Sequence, residues 1–133
     1  MGWRPATIMD PTVVVGPGSV VGEGSYIGAL SALSPHSRVG RHVIVNHGCS
    51  IGHDSRIGDY GQVCPGGRIS GFCVMGRGAF VGSNGVLAPG VELGDYAVLG
   101  AASFAAKSIP AGVTAVGNPA RVVYRSPRSA TIP

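Results

Sequence analysis

Charge is scarce in this chain. Asp, Glu, Lys and Arg make up 12% of its 133 residues, against roughly 25% in an ordinary soluble domain. Aromatic residues are few, at 6%. Mean hydropathy is +0.31. Yet no uninterrupted apolar run approaches the ~18 residues of a membrane span, so no transmembrane helix is expected. The start, Met1-Gly2-Trp3-Arg4-Pro5, lacks the apolar segment of a secretory signal, which points to a cytoplasmic protein. The three cysteines form no CxxC pair, so neither a disulfide framework nor a zinc knuckle is indicated. The net charge of +4 is modest, and Arg121, Arg125 and Arg128 gather in the C-terminal tail. That pattern suits a phosphate-bearing small molecule; nucleic acid would need a broader basic face. No nucleic-acid or membrane partner is expected.

Glycine and proline are plentiful, at 23 and 10 residues. Without a period such a composition would suggest disorder. A period is present. Stepping by six from Met9 gives Val15, Val21, Ile27, Leu33 and so on to Leu99 and Ala105, seventeen apolar positions without one insertion or deletion. The next residue is Gly in ten of the seventeen hexads. A strict six-residue repeat predicts a parallel β-helix over residues 9–110. Residues 1–8 form a lead-in, and residues 111–133 read as a non-repeating tail with Gly117-Asn118-Pro119 as a turn.

The corners can be located. Pro17-Gly18, Pro65-Gly66 and Pro89-Gly90 all fall at hexad positions three and four. Pro presets φ and Gly accepts positive φ, so these positions turn. Positions five, six, one and two then form the strand, with five and one inward and six and two outward. Three hexads make one coil of 18 residues. The third position of every third hexad supports this: Glu23, Arg41, Asp59, Arg77 and Asp95 alternate in sign. Stacked ~4.8 Å apart, they should form one ladder of opposite charges. The outward residues Tyr26, Ile44, Gln62, Phe80 and Val98, also 18 apart, form a mostly apolar stripe of the kind that marks an interface. Cys49 and Cys73 occupy the fifth position, where most residues are small, and read as core.

Four histidines cluster between residues 36 and 53. His53 is followed by Asp54, and an 18-residue coil places Gly71 one rung above it. A histidine with a neighbouring carboxylate can serve as an oriented general base. A glycine on the next rung leaves its N–H open to a ligand oxygen. The alternative is a solvated corner histidine beside a solubilising aspartate. His36 shares a corner slot with Asp54 one rung below and could pair with it.

The segment from Asn46 to Tyr60, with His47, His53 and Asp54, resembles the hexapeptide-repeat acyltransferases of the sialic acid and sugar O-acyltransferase group. That group includes the N-acetyltransferases of UDP-4-amino-sugars. The ending Val116-Gly117-Asn118-Pro119-Ala120-Arg121 is similar to the closing motif of those enzymes. The resemblance covers most of residues 7–122. It implies a left-handed β-helix, against the usual right-handed crossover preference. It also implies a homotrimer with acetyl-CoA, or another acyl-CoA, held in a groove between subunits. His53 would be the base, Asp54 its partner, and the Gly71 N–H a contact to the thioester oxygen. Asn46 matches a further polar residue near that site. Two departures stand out. Gln62 replaces a second histidine carried by many relatives, and nothing here corresponds to their N-terminal α/β domain.

The expected function is acyl transfer from an acyl-CoA to an amine or hydroxyl of a small molecule, with sugars among the candidate acceptors. His53, Asp54 and Gly71 carry the chemistry, and Asn46, His47 and Gln62 face the acceptor. Gly100, Ala101, Ala102, Gly71 and Arg121 hold the donor, with no metal required. Two other classes fit less well. A metal lyase resembling γ-type carbonic anhydrases would need three histidines, drawn from His36, His42, His47 and His53, to converge across a subunit boundary. A non-catalytic scaffold would account for Gln62 but not for the retained His53, Asp54 and Gly71.

Overall fold

The computed structural model of the protein describes residues 2–126; Arg128 lies outside them. Seventeen two-residue strands, from β1 (Ile8–Met9) to β17 (Phe104–Ala105), recur every six residues. Each joins the outward sixth residue of one hexad to the inward first residue of the next. Turns fall at positions three and four, as the Pro-Gly pairs predict.

Every third strand shares a sheet. Sheet A contains β1, β4 (Tyr26–Ile27), β7 (Ile44–Val45), β10 (Gln62–Val63), β13 (Phe80–Val81) and β16 (Val98–Leu99). Sheet B runs from β2 (Val14–Val15) to β17, and sheet C from β3 (Val20–Val21) to β15 (Glu92–Leu93). Partners stand one coil apart, as Gln62 with Phe80 and Ser50 with Arg68. The coils stack into a left-handed parallel β-helix with three faces. Among the described residues no helix is long and apolar enough to cross a membrane.

The corner geometry is stricter than the Pro-Gly pairs suggest. Every fourth-position residue from Gly18 to Ala102 has positive φ, and nine of them are not glycine, including His36, Asp54 and Phe72. Such a conformation costs a non-glycine residue on the order of 1 kcal/mol. A vertical hydrogen bond offsets it. The fourth N–H donates to the third-position carbonyl one rung below, as Asp54 to Pro35 at 3.2 Å and Phe72 to His53 at 2.9 Å.

First-position residues from Ile27 to Ala105 are buried, and Cys49 and Cys73 join them in the core. The lowest coil departs from expectation: Met9 and Val15 are 39% and 45% exposed and Val21 is only half-buried. They have the inward orientation but no rung beneath them. Buried serines at the fifth position are satisfied by adjacent rungs. Ser55 Oγ donates to the Ser70 carbonyl at 2.7 Å and accepts from the Cys73 N–H at 3.0 Å.

The charge ladder forms. Arg41 pairs with Glu23, and Arg77 lies 4.0 Å from Asp59. Asp59 and Asp95 also accept the backbone N–H of Arg41 and Arg77, each at 2.8 Å. The alternation therefore occupies corner donors as well as pairing side chains. Residues 113–125 of the C-terminal segment are structured. Strands β18 (Val113–Gly117) and β19 (Ala120–Arg125) form an antiparallel hairpin, and β18 extends sheet A beside β16. Its turn contains a cis Asn118–Pro119 bond.

Candidate functional site

The corner between sheets B and C stacks Pro17, Pro35, His53, Gly71 and Pro89 in one column. Three of these are prolines, which have no N–H to offer. His53 and Gly71 stand between them.

The His53 ring is held on three sides. Its Nδ1 lies 3.0 Å from Asp54 Oδ2. The Phe72 ring meets it edge-on, with centroids 4.9 Å apart and planes at 88°. Its Nε2 lies over Gly71, where a Cβ would come within 2.6 Å of that nitrogen. With the Nδ1 proton donated to the carboxylate, Nε2 is left as the acceptor. Among the described residues nothing accepts the Gly71 N–H, whereas the Gly71 carbonyl receives the Gly90 N–H at 3.0 Å. A proton acceptor and an open N–H thus stand side by side on adjacent rungs. The His53 and Asp54 side chains are 55% and 43% exposed, so a substrate can reach them.

Ser55 and Phe72 were not singled out by sequence reasoning. Ser55 bonds to Ser70 and Cys73, the residues flanking the Gly71-Phe72 turn, and so fixes that turn relative to its own rung. The buried fifth-position serines were a usable signal. Phe72 had none beyond its place in the Asp54 column.

Lys107 lies at the same corner two rungs above Gly71, where the repeat shortens: Ala105 pairs with Leu87 but Ile109 with Leu93. Lys107 shares a cavity of about 200 Å³ with Ala106, Pro119, Ala120 and Arg121. The hairpin turn thus brings Arg121 to the upper end of the His53 corner, and two cations gather there.

The other predicted residues lie elsewhere. Asn46, His47, Gly100, Ala101 and Ala102 occupy the corner between sheets A and B, and Gln62 faces outward from β10. Within one chain none of them joins His53. Gln62 directs its amide toward Cys64 Sγ at 3.9 Å; partial burial raises the Cys64 thiol pKa. His36 does not pair with Asp54. Its ring packs over Gly18 on the rung below, and Asp54 turns to His53. His42 stacks on Tyr60 at 5.3 Å. The four histidines therefore point to separate surroundings.

No family model matches the chain, and a search of curated proteins gives no match. Solved structures do match. The acetyltransferase domain of PglB from Neisseria gonorrhoeae superposes with a TM-score of 0.90 at 26% identity, over 92% of this chain and 60% of that one. The chain resembles the hexapeptide-repeat sugar N-acetyltransferases. Perosamine N-acetyltransferase from Caulobacter crescentus, solved with CoA and GDP-perosamine, gives 0.91 at 29% identity, over 92% of this chain and 59% of that one. WeeI from Acinetobacter baumannii gives 0.76 at 30%, over 89% and 55%. The chain thus spans 55–60% of the length of these acetyltransferases. The PglB domain has also been solved with acetyl-CoA.

Proposed function

We propose that the chain transfers an acyl group from acetyl-CoA, or another acyl-CoA, to an amine or hydroxyl of a small molecule, with a sugar as the preferred class. The observation that carries this reading is the juxtaposition of His53 Nε2 with the free Gly71 N–H. Acyl transfer needs a base for the nucleophile and a donor for the developing oxyanion, close together. The likeness to CoA-bound acetyltransferases supports it.

In this mechanism His53 Nε2 takes the proton of the acceptor N–H or O–H as its heteroatom attacks the thioester carbonyl. The Gly71 N–H stabilises the oxyanion. The C–S bond then breaks, and His53 returns the proton to the leaving sulfur. Asp54 keeps the ring oriented and stabilises its positive charge between the two steps. Lys107 stands three rungs above His53, ~14 Å along the prism, and Arg121 lines the same cleft. That separation suits a donor with its thioester at His53 and its phosphates in the upper cleft. Arg125 and Arg128 are further candidates for those phosphates.

The assembly is proposed to be a homotrimer. Tyr26 and Ile44 on sheet A are 40% and 42% exposed in one chain. Covering that stripe with a neighbour's B–C corner would bring Asn46, His47, Gln62 and Gly100–Ala102 to His53 of the next subunit. Thermal-shift screening with acetyl-CoA and longer acyl-CoAs tests the reading, since specific binding raises the melting temperature by mass action. No shift with any acyl-CoA rejects it.

A further inference from the structure

Sheet C presents Val20, Arg38, Arg56, Val74 and Glu92 outward in one column. Arg38 and Arg56 are direct strand partners, so their side chains start ~4.8 Å apart. Like charges in that position are destabilising. Elsewhere this chain avoids the problem: the Glu23 to Asp95 ladder alternates at every step.

Nothing among the described residues neutralises the doublet. Both residues are exposed, and neither guanidinium makes an ion pair or hydrogen bond among the described residues. The nearby carboxylates are engaged. Asp54 holds His53, and Asp59 receives the Arg41 N–H and faces Arg77. Glu92 is two rungs above Arg56. Other arginines on this prism have partners, such as Arg68 on the Gly48 carbonyl at 2.6 Å and Arg77 on the Tyr96 hydroxyl at 3.2 Å.

The doublet also has a telling place. Arg56 follows His53 by three residues, which bounds the Cα separation at ~11 Å. Arg38 lies one rung lower, away from Lys107. The Lys107 and Arg121 cleft is on the opposite side of His53 along the prism axis. An anion on the doublet is therefore not the one that cleft would hold.

We propose that Arg38 and Arg56 form a subsite for a phosphate-type dianion on sheet C, separate from the Lys107 and Arg121 cleft. Two stacked guanidinium forks can each give paired N–H donors to such a group. The subsite seats the anionic end of the acceptor, a role that rests on the transferase reading above. The binding itself does not.

Calorimetric titration of the full chain with inorganic pyrophosphate at low ionic strength tests this. Saturable binding at one site per chain is expected. Arg38→Gln and Arg56→Gln should each weaken it about tenfold. Arg77→Gln, which removes the same net charge, should leave it within about twofold. Both arginines are exposed, so the variants should fold. Without ligand each should melt slightly higher than the parent, because a repulsion is gone. Saturating CoA should leave pyrophosphate binding intact. Absence of saturable binding, equal loss in Arg77→Gln, or displacement by CoA would each overturn the proposal. A nucleoside diphosphate that binds at least tenfold tighter than pyrophosphate would assign the anion to a nucleotide; equal affinity would assign it to free phosphate. If acyl-CoAs fail to bind while pyrophosphate still does, the transferase reading falls and the subsite stands.

Discussion

The imidazole of His53 fills the space that a side chain on Gly71 would need. Gly71 does not have the positive φ that would restrict a substitution there. Gly71→Ala should therefore keep the fold and the open N–H while pushing the His53 ring aside. Turnover should fall about 10²-fold, the scale of a displaced general base, with little change in melting temperature. His53→Ala should lose at least as much, with acyl-CoA affinity nearly unchanged. Asp54→Asn should lose less, and His47→Ala least. Thiol release from acyl-CoA with an identified acceptor is the assay. Near-native turnover in His53→Ala, with loss in His47→Ala or Gln62→Ala, would show that the base is misassigned.

The assembly prediction uses the sheet A stripe. Light scattering at micromolar concentration should give a trimer mass. Ile44→Glu or Phe80→Glu should give monomers, because a charge would be buried at the interface without a partner. A monomeric parent protein contradicts the proposed trimer.

The upper cleft predicts donor affinity. Lys107→Ala and Arg121→Ala should each weaken CoA binding, by roughly 1 kcal/mol or about fivefold for an exposed phosphate contact. The effect should shrink for a truncated pantetheine thioester that lacks the nucleotide. Equal losses for both ligands would remove the phosphates from this cleft.

Core substitutions should report the height of the prism. Ile51 is fully buried between rungs, so Ile51→Ala should cost about 2–5 kcal/mol in denaturant unfolding. Val15 keeps 45% of its surface exposed, and Val15→Ala should cost under about 1 kcal/mol. Similar losses at both positions would mean that something covers the lower end in solution.

The thiols give a pH-dependent check. Burial raises the pKa of Cys49, Cys73 and Cys64, so each holds less thiolate at a given pH than a free cysteine. At pH 8 the folded protein should react slowly with an alkylating reagent, Cys64 first because it alone is not buried. All three should react promptly after unfolding. Rapid reaction of Cys73 in the folded protein would contradict its place in the core.

Much of this was legible in the chain because the hexad makes register a matter of counting. The apolar first positions from Ile27 to Ala105, the turns, the Glu23 to Asp95 ladder and the His53, Asp54 and Gly71 grouping all follow from an 18-residue coil. What escaped depends on facts that counting does not hold. Met9 and Val15 have inward phase, but phase does not say where stacking stops. His36 and Asp54 share a column, but side-chain rotation decides their partners. The hairpin at Val113–Arg125 abandons the hexad for alternation, which a six-residue template cannot detect. The open Gly71 N–H, by contrast, was legible from its place one rung above His53, and the prolines at 17, 35 and 89 set it apart in its column.

Because each corner column advances by whole coils, the prism acts as a ruler with a fixed graduation. The interval between His53 and Lys107 can be reset only in steps of ~4.8 Å. Excising one coil, residues 72–89, would leave every remaining column in phase and bring Lys107 one graduation nearer. Inserting a coil would do the reverse. Point substitutions cannot shift this spacing, so a lineage with this architecture would adjust reach between two stations by adding or dropping eighteen residues at a time.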